Sequence, residues 1–146
     1  MKTALTPLIL DTNIVLDLFV FSDPDVTTLK TALLARQLNW IATPDMRIEL
    51  ERVLSYPKIV PRMAFYQVTA ADVLDKFDQL TTLVDPAPRA QWICKDPDDL
   101  RFIDLAVQHQ ATLLSKDQAV LCMAKRLLTA GAVVHNAAHF TPQIGT

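Results

Sequence analysis

Along the chain, short unbroken apolar runs alternate with longer segments whose apolar residues recur every three or four positions. Leu8–Leu10 is one such run; after Asp11, Thr12 and Asn13, apolar residues resume at Ile14, Val15, Leu16 and Leu18. This is the pattern of a buried strand feeding a helix. Asn39–Ala42, Thr82–Val84, Ala111–Ser115 and Ala132–Asn136 read as further strands. Helical spacing fills the intervals. It covers Asp25–Leu38, then a segment capped by Thr43 with Pro44 first inside and Pro57 as its stop. A third helix follows Thr69, whose partner Asp72 completes a capping-box pattern, and a fourth follows Asp96 and Pro97. The last spans Asp117–Ala130 and ends at Gly131. Strands separated by helices call for right-handed βαβ units and a parallel sheet between two helical layers. Without repeats, linkers or low-complexity stretches, residues 1–146 read as one α/β domain.

Composition removes several classes of function. Of the 146 residues, 51% are hydrophobic, as a packed core requires. No apolar run approaches the roughly 18 residues of a membrane helix, and Asp11 interrupts the N-terminal apolar stretch too early for a secretory signal. Cys94 and Cys122 lack metal-type spacing and read as reduced, buried thiols of a cytoplasmic protein. The glycines, Gly131 and Gly145, leave no phosphate-cradling loop, and no nucleophile elbow or Cys–His pairing occurs. His109, His135 and His139 do not fall in a zinc pattern. A net charge of −2 argues against bulk coating of nucleic acid. It leaves room for an enzyme that grips a phosphodiester through metals and a few cations, and Arg47, Arg52, Arg101 and Lys116 lie close to the acidic motifs.

Those acids converge. The first, second and fourth strands end in Asp11-Thr12-Asn13, in Thr43 with Asp45, and in Ser115-Lys116-Asp117. In a parallel sheet these ends share the edge at which ligands bind. Advancing about 100° per residue along the helix after Thr43, Met46, Leu50, Val53 and Leu54 form an apolar stripe. Glu49 falls on its margin and Glu51 almost opposite. On the helix after Asp96, Phe102, Ile103 and Ala106 mark the buried face with Asp99 at its centre, while Asp104 falls with Arg101 and Gln108 on the polar side. Each acid taken singly has a structural alternative. Asp11 and Asp117 can cap helices, and Asp99 can complete a capping box with Asp96. Four carboxylates at one edge repel one another and raise each other's pKa values unless a cation neutralises them. An all-oxygen set selects a hard ion, Mg²⁺ or Mn²⁺.

These residues resemble the PIN domain, a metal-dependent nuclease family, and within it a bacterial branch described as toxin components of toxin–antitoxin systems. "LILDTNIVL" looks like the opening strand and first acid, and "IELERVLSYPKI" like the helix with the second. "CKDPDDLRFIDLAV" resembles the branch's Cys-basic-Asp-Pro-Asp-Asp segment, and "ATLLSKDQAVL" the strand with the fourth acid. The resemblance runs from about Leu8 to Phe140. It implies a three-layer α/β/α fold with a central parallel sheet in strand order 3-2-1-4-5. The implied catalytic and metal-holding residues are Asp11, Glu49, Asp99 and Asp117, supported by Asn13, Ser115 and Asp98. It further implies Mg²⁺ or Mn²⁺ as cofactor, hydrolysis of an RNA phosphodiester, an antitoxin partner and a homodimer. Relatives often carry another acid two residues after the fourth; here that position is Ala119.

Three other readings compete. A haloacid-dehalogenase-like phosphatase also places an Asp after its first strand, but needs a second two residues on, where this chain has Asn13. A receiver-like module would use Asp11 as phosphoacceptor and leave Glu49 without a role. A catalytically silent PIN-like module would bind RNA or an antitoxin without cutting.

Overall fold

The computed structural model describes residues 6–87 and 100–136. The sites expected at Cys94, Asp96, Asp98 and Asp99 lie outside the described residues.

Three of the five expected strands are buried on both faces: β1 is Pro7–Leu10, β2 Asn39–Ala42 and β4 Thr112–Ser115. β5, Val133–Asn136, is buried only in part; β3, Thr81–Leu83, is the more exposed edge strand and lies one residue earlier than the apolar pattern suggests. They form one parallel sheet in the order β3-β2-β1-β4-β5. The expected order is therefore observed. The central strands β1 and β4, whose residues Ile9, Leu113 and Leu114 are fully buried, carry continuous apolar sequence because helices cover both faces.

The helices are α1 (Thr12–Phe19), α2 (Thr27–Leu34), α3 (Pro44–Val53), α4 (Val60–Phe65), α5 (Ala70–Leu80), α6 (Leu100–His109), α7 (Gln118–Leu121) and α8 (Ala124–Thr129). Right-handed crossovers place the helices linking β1, β2 and β3 on one face and those linking β3, β4 and β5 on the other. Several starts follow local chemistry. The Thr43 hydroxyl accepts from the Met46 N–H beside Pro44 at the first helical position, and Thr69 and Asp72 form the expected reciprocal capping box. Gly131 closes α8 at φ +89°, a left-handed conformation that glycine adopts without strain.

Other segments depart from the periodic reading. The Asp25–Leu38 segment opens as a 3₁₀ turn, Pro24–Val26, and its α-helix stops at Leu34 because Arg36 turns to φ +57°. The helix after Thr43 ends at Val53, ahead of Pro57, and α4 follows in a stretch whose spacing carried no helical signal. Asp117–Ala130 is two short helices broken at Cys122–Met123. Cys122 is exposed, not buried as expected, because it falls at that break. Asp104 is corrected too. It is 7% exposed, not on a polar face, since it stands one turn from the buried Leu100 in a helix whose residues Phe102 to Ala106 are all buried.

Among the described residues no helix is long and apolar enough to cross a membrane.

Candidate active site

The β1–β4 ladder continues one residue beyond β1, where the Asp11 N–H donates to the Leu114 carbonyl at 3.0 Å. This holds Asp11 at the carboxyl edge of the sheet. Asp11 occupies the N-cap position of α1, yet its side chain makes no capping hydrogen bond. Its Oδ2 instead accepts from the Ser115 hydroxyl at 2.8 Å. Ser115 is fully buried, and its Oγ accepts the Asp117 N–H at 3.0 Å. One hydroxyl thus joins the ends of the two central strands and sets the spacing between their acids.

Asp117 does cap its helix, with Oδ1 accepting the Ala119 N–H at 2.9 Å. The capping alternative holds for Asp117, whereas the geometric partner of the Asp11 carboxylate is Ser115. Glu49 is half-buried on α3 and Glu51 exposed, as the helical phasing requires. The Thr12 hydroxyl donates to Glu49 Oε2 at 2.6 Å and so fastens α3 to the first turn of α1. Sequence reasoning passed over Thr12. The available signal was a hydroxyl directly after the first acid, at a position that the start of an amphipathic helix buries. Asn13 is exposed, and only its backbone amide bears on the site.

Asp11 is 5% exposed, and its carboxyl is held above its ordinary range. Burial is the main cause; the Ser115 hydroxyl and the Asn13 amide pull the other way, while the charges of Asp117 and Glu49 push it further up. Glu49 and Asp117 therefore lie near enough to act on the buried Asp11. Among the described residues no group of three or more acids, histidines or cysteines is placed to hold a metal ion. The edge does have what a divalent ion complements: oxygen donors only, mutual repulsion and one buried carboxylate that resists ionisation. In donor type alone these residues suit such an ion.

Two of the nearby cations are committed elsewhere. Lys116 Nζ pairs with the buried Asp17 at 2.8 Å, tying the β4–α7 turn to α1. Arg47 makes a two-pronged bond to Asp78 at 2.7 and 2.9 Å and meets Glu51 at 3.5 Å.

The model of the PIN domain matches residues 7–119, which span the stretch from β1 through the Asp117 turn. The chain belongs to the PIN domain family. Membership places it in a family of nucleases. No curated protein matches it. Among solved structures, this PIN domain is similar to the crystal structure of VapBC2 from Rickettsia felis bound to a DNA fragment from their promoter. The identity is 18% and the TM-score 0.59, over 89% of this chain and 98% of that one. At that identity the likeness concerns the fold, and it agrees with the observed sheet order.

Proposed function

We propose that this PIN domain is a metal-dependent endoribonuclease whose catalytic and metal-holding residues are Asp11, Glu49, Asp99 and Asp117, contained in a single domain. The observation that carries this reading is the convergence of Asp11, Glu49 and Asp117 at the carboxyl edge, tied together by the Ser115 and Thr12 hydroxyls. Asp11, Asp99 and Asp117 would hold Mg²⁺ or Mn²⁺, with Glu49 a further ligand or the group that orients the attacking water. A bound ion would supply charge neutralisation at the phosphate and a water of lowered pKa. The chain's own contribution is positioning. Ser115 fixes the Asp11 carboxylate, its Oγ and the Ala119 amide hold the Asp117 backbone and side chain, and Thr12 restrains Glu49. Asn13 and Asp98 would support the site from its margin.

RNA is the proposed substrate. Pairing with an antitoxin follows from the resemblance to the toxin branch and is supported by the likeness to a solved VapBC2 complex. Homodimer formation and a cytoplasmic location belong to the same reading. Family membership displaces the phosphatase and receiver alternatives. The deciding experiment incubates purified protein with labelled single-stranded RNA in Mn²⁺ and in EDTA, beside the Asp11→Asn variant. Cleavage confined to wild type with Mn²⁺ supports the reading. RNA bound but uncut under all conditions would establish the catalytically silent alternative.

A further inference from the structure

A cleft of about 510 Å³ opens at the same sheet edge, between α3 and the start of α6. Thr43 and the buried Asp104 line it, with Ile48 and Leu100 as apolar walls and Arg52 and Arg101 among its cationic lining. None of Asp11, Glu49 and Asp117 lines it, but it begins beside Asp11. β1 and β2 pair as Pro7↔Asn39 and Leu8↔Trp40, and continuing that register sets Asp11 beside Thr43. Neighbouring strands lie about 4.8 Å apart. The cleft therefore begins one strand away from the buried acid.

The ion pairs of the described residues divide the four cations near the acidic motifs into two classes. Arg47 and Lys116 are held by Asp78, Glu51 and Asp17. Arg52 and Arg101 make no ion pair among the described residues and face the cleft. The exposed Asp45 also lines the cleft, and Asp104 lies within its wall with an interaction of its own. Among the described lining residues, two arginines stand against one exposed carboxylate, in a chain whose net charge is −2. Guanidinium groups suit phosphate oxygens, and the volume and apolar walls suit a nucleotide.

We infer that the α3–α6 cleft holds the RNA strand next to the cleaved bond, with Arg52 and Arg101 contacting its phosphates. The strand then leaves the acids on the β2 side of the sheet, not past Lys116 on the β4 side. This inference rests on the nuclease reading above and names the substrate path of that site. It treats the two arginines as binding residues with no part in the bond-breaking chemistry.

The test is metal-free binding of a short fluorescein-labelled single-stranded RNA in EDTA, measured by anisotropy over a range of salt concentrations. It compares wild type, Arg52→Ala/Arg101→Ala, and a charge-matched control, Lys125→Ala/Arg126→Ala, on α8. Each lost phosphate contact lowers the salt slope by about 0.7 for a single strand, so the cleft variant should lose roughly 1.4. The control should keep the wild-type slope. Circular dichroism melts verify that both variants are folded, and the single replacements, expected to lose about half each, serve if the double does not fold. A cleft variant with the wild-type slope, or a control with the same loss, overturns the assignment while leaving RNA cleavage by wild type to support the nuclease reading. Wild type that neither binds nor cuts the RNA overturns both.

Discussion

Two carboxylate groups meet on α3, facing opposite ways. Toward the sheet edge, Glu49 joins Asp11 and Asp117, restrained by the neutral hydroxyls of Thr12 and Ser115. Toward solvent, Glu51 and Asp78 share Arg47. In the first group the buried acid has its pKa raised, and in the second Asp78 is lowered by its bond to Arg47, whose own pKa rises in return. The solvent-side cluster has reached charge balance within the protein. Among the described residues the edge cluster has no such partner, and an acidic group without a cation is a candidate for chemistry. The comparison can be broken by removing one acid at a time from each side.

The largest effect is expected from Asp11→Asn. The amide can still accept from Ser115, so the fold should persist, whereas RNA cleavage in Mn²⁺ should fall by about 100-fold or more, on the scale of a lost electrostatic group. Wild-type cleavage by this variant would remove Asp11 from the chemistry.

Glu49 and Glu51 provide the sharpest contrast, since two residues on one helix separate them. Glu49→Gln should slow single-turnover cleavage about 100-fold. Glu51→Gln should leave it unchanged and shift stability by less than about 0.5 kcal/mol. Equal losses would dissolve the distinction between the two faces.

Metal should act on the edge group alone. At 100 times its dissociation constant, Mn²⁺ would stabilise the protein by about 2.7 kcal/mol, and Asp11→Asn should abolish most of that gain in the melting temperature. A chain whose melting curve ignores Mn²⁺ does not neutralise its acids this way.

The pH response separates the groups by sign. In EDTA, the folded protein binds a proton at Asp11 more readily than the unfolded chain, whose reference value is 3.8. Stability from this group is therefore present at low pH and is lost as pH rises through the raised folded value. Asp78, with a lowered pKa, works oppositely, and its contribution is lost as pH falls below about 3.8. Urea melts across this range should show Asp11→Asn gaining on wild type as pH rises; a constant difference between the two would refute the sign.

Asp78→Asn is expected to do least. Its pair with Arg47 is partly exposed, with side chains 32% and 46% accessible, and such pairs contribute about 0.2–1 kcal/mol, less at high salt. Cleavage should be untouched, and any catalytic loss would link the solvent-side cluster to the active edge.

Local chemistry determined much of this molecule from sequence alone. Apolar run length located β1, β2 and β4, because a buried parallel strand excludes polar side chains on both faces, and the helical spacing between segments set off β3 and β5. Caps at Thr43, Thr69 and Gly131 were legible because their hydrogen bonds join residues only a few positions apart. The phase of Glu49 against Glu51 was equally local, since both ride on one helix. Asp104 was misplaced because a helical wheel identifies one buried face, and α6 is enclosed on more than one. The break at Cys122–Met123 left no proline or glycine to read.

Only the tertiary structure decided which polar residues act together. Ser115 reaches Asp11 across 104 positions, Thr12 reaches Glu49 across 37, and Lys116 reaches Asp17 across 99. Spacing along the chain carries no record of such partners, because strand pairing and helix packing set them. The same holds for the cations. Four lay near acids in sequence, and their free energies of pairing depend on distances of a few ångströms, which the packing of α3 against α5 and of the β4 turn against α1 supplied.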